Sequence, residues 1–152
     1  MFRETEEIES FIRQFETGTL PKDQWTHQAH FVVGLWYVAR YPLDKALDLA
    51  RERIRAYNEA VGTENSDSNG YHETLTRFYL YGIAAHLAAH RPESFMQLLS
   101  SLLQSKLVAK DRPFDFYSRE RLFSVEARRN WLVPDLIAKD ELPVLLRGLP
   151  PV

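Results

Sequence analysis

Apolar residues recur at intervals of three and four along five successive stretches of this 152-residue chain, and proline, glycine or a polar turn bounds the stretches. That spacing lines one face of an α-helix, and no stretch shows the strict alternation of a half-buried strand. The first stretch, residues 4–16, carries Ile8, Phe11, Ile12 and Phe15, with Gly18 placed to cap its end. Thr26 can cap a second helix running to about Tyr41, where Pro42 stops it. Its middle, from Phe31 to Val38, is apolar on nearly every side, which predicts a helix buried among others. Pro42 also suits the first turn of a third helix, whose stripe of Leu43, Ala46, Leu47, Ala50, Ile54, Tyr57 and Val61 ends at Gly62.

Residues 63–70 form the most polar and turn-rich segment and predict a surface loop. A fourth helix follows from about Tyr71 to His90, and Pro92 opens a fifth through about Ser105. Beyond Leu107 the pattern shortens around Pro113, with Ser118 and Ser124 as caps for helical pieces over 119–123 and 125–131, and residues 145–152 read as an extended tail. The expected fold is an all-α antiparallel bundle of about five main helices with a C-terminal wrap of short ones. Residues 1–152 are expected to form one domain, for which a hydrophobic content of 45% is ample.

Short connections make consecutive helices antiparallel neighbours. The start of the second helix, the end of the third and the start of the fourth then meet at one end of the bundle. Most of the unusual chemistry gathers there. His27 and His30, three residues apart, share a helical face, and His72 approaches them from the fourth helix. His86 and His90 belong elsewhere, since His86 stands fourteen residues, roughly 21 Å, above His72. Their position suits imidazolium near a helix C-terminus.

Composition removes several chemistries. The absence of cysteine excludes disulfides, thiolate nucleophiles, Fe–S clusters and Cys-ligated zinc. Nineteen Lys and Arg against twenty-one Asp and Glu leave no basic footprint for a nucleic-acid partner. The longest apolar run, 31–39, is nine residues and too short to span a bilayer, so no membrane partner is expected. The acidic opening Met1-Phe2-Arg3-Glu4-Thr5-Glu6-Glu7 lacks the apolar core of a signal peptide, which makes the cytoplasm the expected location. A homo-oligomer is possible but not indicated.

Three segments stand out: Trp25-Thr26-His27-Gln28-Ala29-His30, the run from Asn65 through Gly70-Tyr71-His72-Glu73-Thr74-Leu75-Thr76-Arg77-Phe78, and Tyr117-Ser118-Arg119-Glu120-Arg121-Leu122-Phe123-Ser124. Together they resemble a family of small helical bacterial proteins that carries no assigned activity, over about Ile8 to Trp131. The resemblance implies that the three segments act as one set and supplies no chemistry for them.

Three readings of that set remain open. In the first, His27, His30 and His72 hold a divalent metal (zinc, iron or manganese), and Glu73 or Asp67 supplies a ligand or the general base of a hydrolytic site. In the second no metal is needed. Asn65, Tyr71, Thr76 and the three histidines line a pocket for a small ligand, and Arg77, Arg119 and Arg121 face its anionic group. Residues 106–129 favour this, with seven Lys and Arg against four acids. In the third the polar motifs only fasten the loop and C-terminal segments to the bundle end, and the protein works through association. Local geometry offers structural roles too: Trp25 and His30 occupy the two positions of a hydrophobic staple around Thr26, and Glu73 lies three residues after Gly70 as a capping-box acid would.

Overall fold

The computed structural model describes residues 2–90 and 94–137, and it is all-helical over them. Helices α1 (Thr5–Glu16), α2 (His27–Arg40), α3 (Leu43–Ala60), α4 (Glu73–Ala89) and α5 (Phe95–Leu103) make the bundle. Two short helices, α6 (Arg119–Leu122) and α7 (Val125–Arg129), with single turns at Lys106–Val108 and Arg112–Asp115, form the C-terminal wrap. Among the described residues there is no strand, and no helix is long and apolar enough to cross a membrane. The expected tail at 145–152 and the opening proline Pro92 lie outside the described residues.

The helix boundaries follow from local chemistry. Thr26 Oγ1 accepts the Ala29 amide at 3.2 Å and starts α2, and the hydroxyls of Ser94, Ser118 and Ser124 do the same for α5, α6 and α7. At the end of α1, Gly18 takes φ +73°, which lets the Gly18 amide reach the Phe15 carbonyl and the Thr19 amide the Gln14 carbonyl. Gly62 closes α3 in the same way, through bonds to Glu59 and Asn58. α4 begins two residues later than its apolar pattern predicts, because His72 stays extended and caps the helix with its own imidazole.

The stripe predicted for α1 is buried throughout, and α2 is buried along most of its length, as its nearly all-round apolar surface requires. α2, α3 and α4 pack on one another and form the centre. One hydrophobic cluster runs from Ile8 in α1 to Leu122 in α6, so the wrap shares the core of the bundle.

Candidate functional site

A cavity of about 510 Å³ opens where α2 and α4 begin and α3 ends. Its walls are mostly apolar, with Phe31, Ile54, Leu75, Leu80 and Ile83 among them. The polar lining comes from His27, His30, Asn58, Thr63, Asn69, Tyr71, His72, Thr76, Tyr79 and Lys110, and among the described residues no Asp or Glu contributes. The end of the bundle that the connections predict to collect the histidines therefore does collect them, around a space large enough for a small molecule.

Each imidazole is oriented by a backbone group whose role cannot change. The Val108 carbonyl lies 2.8 Å from His27 Nε2, so that nitrogen carries a proton; in the neutral ring Nδ1 then holds the lone pair, and it has no hydrogen-bond partner among the described residues. His30 has the opposite arrangement. Its Nδ1–H donates to the Thr26 carbonyl at 2.8 Å, and Nε2 keeps its lone pair. The ring stacks on Trp25 with centroids 3.9 Å apart, the staple contact that the spacing around Thr26 anticipates. His30 is exposed by surface area, yet the protein packed around its ring desolvates it and lowers its pKa against the pull of the Thr26 bond.

His72 uses both nitrogens. Nε2–H donates to the Leu122 carbonyl at 2.8 Å while Nδ1 accepts the Leu75 amide at 3.2 Å, so only the neutral ring satisfies both partners. Burial accordingly pushes its pKa down, although the Leu122 bond pulls the other way. Ligating a metal through His72 would break either the helix cap or the tie to α6. Among the described residues no group of three His, Asp or Glu side chains is arranged to hold a metal ion.

Glu73 does not line the cavity. Successive helical positions point about 100° apart, and Glu73 turns to α3, where its carboxylate accepts from Arg51 Nη2 at 2.6 Å and Nε at 2.8 Å and from the Tyr71 hydroxyl at 2.8 Å. Arg77 Nη1 adds an ion pair at 3.8 Å. Burial on its own would raise the carboxyl pKa, but the hydrogen bonds from Arg51 and Tyr71 and the two guanidinium charges outweigh it and leave it below the usual value. The carboxylate expected to act as a base is thus a fully engaged acceptor. Asp67 is also committed, to a bidentate pair with Arg129 at 2.6 and 2.7 Å.

The remaining candidates divide. Tyr71 and Thr76 line the cavity, whereas Asn65, Arg77, Arg119 and Arg121 do not. Asn65 organises the loop instead: Oδ1 accepts from Asn58 Nδ2 and the Tyr71 amide, and Nδ2 donates to the Arg55 carbonyl. Gly70 must stay small beside it, since a Cβ there would lie 2.5 Å from the Glu64 carbonyl oxygen. Arg77 is buried, donating to the Tyr81 hydroxyl with its guanidinium 5.0 Å from the Trp131 ring centre. Arg119 stacks over Phe114 and Arg121 donates to the Val133 carbonyl. The cation that does line the cavity is Lys110, one of the seven in the basic stretch, which the motifs alone did not single out. Arg51, the partner of Glu73, is likewise not singled out by the motifs. The signal for it is indirect, because a buried glutamate needs a cation.

Comparison with protein-family models, with curated proteins and with solved structures finds no match for this chain. The resemblance read from the three motifs rests on those motifs alone.

Proposed function

We propose that the protein binds a small, mostly apolar molecule with an anionic head in the cavity at the start of α2 and α4, without a metal. The observation that carries this reading is the lining itself among the described residues: mostly apolar walls, oriented imidazoles, no carboxylate, and one cation, Lys110, that forms no ion pair there. A low-dielectric site of that make-up disfavours a bound cation and accepts an anion near the lysine. The hydrolytic metal site is the weaker reading, because His72 is held through both nitrogens and Glu73 by two arginines and a tyrosine. That leaves His27 and His30 with one open nitrogen each, one short of the three protein ligands usual for catalytic zinc.

Calorimetric titration with octanoate, octylamine and octanol tests the proposal. Octanoate is expected to bind more tightly than octylamine, and Lys110→Ala to weaken octanoate roughly two- to fivefold while leaving octanol unchanged. Equal binding of the acid and the amine would sink the anionic reading. Stoichiometric zinc, iron or manganese in untagged protein, lost in His27→Ala, would favour the metal site instead.

A further inference from the structure

Three acceptors on residues that line the cavity have no donor among the described residues. His27 Nδ1 and His30 Nε2 are two of them, each the lone-pair nitrogen of the neutral ring because the other nitrogen donates to a backbone carbonyl. The third is Asn58 Oδ1. The Tyr71 amide can only donate, so Asn65 Oδ1 must be the acceptor it meets, and Asn58 then faces the same oxygen with its NH2 group. Its own oxygen is left without a partner among the described residues. Asn58 is only 6% exposed, and it lines the cavity together with both histidines.

The two histidines are oriented by main-chain carbonyls, and Asn58 by the Asn65 amide oxygen that the Tyr71 N–H fixes in turn. In the empty cavity water can serve such acceptors. A ligand that displaces the water and brings only hydrocarbon would leave them without a donor. The geometry points to a ligand that carries, besides its anionic head and apolar body, a neutral hydroxyl or amide N–H that donates to this wall. The expected class is a hydroxy- or amido-substituted apolar carboxylate. This inference rests on the anionic-ligand reading above and adds the selectivity that the reading lacks. His30 is its centre, because the Trp25 stack and the Thr26 bond hold Nε2 in place, and the lowered pKa keeps that nitrogen unprotonated at neutral pH.

Titration of the full chain with octanoate and a set of its monohydroxy isomers tests it. At least one isomer is expected to bind about tenfold more tightly than octanoate, the gain of roughly one well-made buried hydrogen bond. His30→Phe keeps an aromatic ring against Trp25 and should abolish the preference, and His30→Gln keeps an acceptor and should retain part of it. Imidazole nitrogen NMR of the unmutated protein gives a second readout that needs no variant: His30 Nε2 should shift on adding the preferred isomer and not on adding octanoate. If octanoate binds and every isomer binds equally or worse, the inference is overturned and the anionic-ligand reading survives. If neither octanoate nor any isomer binds, both are overturned.

Discussion

A histidine at a helix N-cap must offer a lone pair to the first turn, and His72 does so with Nδ1 while Nε2–H holds the Leu122 carbonyl 50 residues away. Protonation would set an N–H against the Leu75 amide, so the folded protein resists it, and burial is the main cause of the lowered pKa. The unfolded chain takes up the proton near pH 6.5, as an ordinary histidine does. Between that value and the lower folded one it binds more protons than the native state. The contribution of His72 to stability is therefore complete above about pH 6.5 and is lost as pH falls toward the folded pKa. His30 and His86, also held low by burial, act in the same sense, so the diagnostic is a comparison. His72→Asn keeps a cap acceptor and loses the Leu122 bond, which should cost about 1–2 kcal/mol. It should also fall less steeply in denaturation midpoint from about pH 7.5 to about pH 5.5. Parallel slopes would remove His72 from the list of titrating groups. The sequence brings His27, His30 and His72 to one place, but it does not reveal what each is bonded to. The partners at Val108, Thr26 and Leu122 are main-chain carbonyls, which every residue type supplies equally.

At the scale of elements, the C-terminal wrap is fastened to α4 by side chains that reach backbone. Thr74 is fully buried and works in both directions, donating Oγ1–H to the Asn130 carbonyl at 2.6 Å and accepting the Leu132 amide at 3.1 Å. Within the wrap the Tyr117 hydroxyl holds the Leu132 carbonyl at 2.6 Å, and Arg128 Nη1 donates to the Gly70 carbonyl in the loop ahead of α4 at 3.0 Å. Thr74→Val preserves shape and strips both bonds, leaving a carbonyl and an amide without partners. The expected loss is about 2–3 kcal/mol, with hydrogen exchange in 117–132 accelerated more than in α2. Arg129→Ala provides the contrast. Its pair with Asp67 is shorter than most, but both side chains are more than half exposed, and denaturation of the variant should match that of the parent protein. Ser118 and Ser124 are legible as caps because a hydroxyl before a short helix bonds locally. Thr74 is not, because its partners lie 56 and 58 residues away, and nothing in a Glu-Thr-Leu run distinguishes a clamp from a helix surface.

For the molecule as a whole, only two residues separate α2 from α3, while a loop of twelve joins α3 to α4, and the start of α2, the end of α3 and the start of α4 meet at the cavity. The cavity stands where the antiparallel course read from the sequence puts the histidines. What that course leaves open is how the space is walled. Lys110 enters from the wrap, whose segment is tied across by the His27 bond to Val108, and that closure depends on contacts 81 residues apart. A space of about 510 Å³ in so small a core is either a packing shortfall or a site preserved for an occupant. Ala50 separates the two. It is 2% exposed, lines the cavity from the middle of α3, and has no polar role, so Ala50→Met extends a flexible apolar chain into the space. If the volume is kept for a ligand, the filled protein should be more stable than its parent when empty, by about 0.5–2 kcal/mol. The same variant should lose the rise in melting temperature that octanoate gives the parent, since that rise depends on binding to the folded state alone. An empty variant that is no more stable, with the octanoate rise intact, would place the ligand elsewhere. Gain of stability together with loss of binding is the pattern expected of a cavity that selection has held open at the expense of packing.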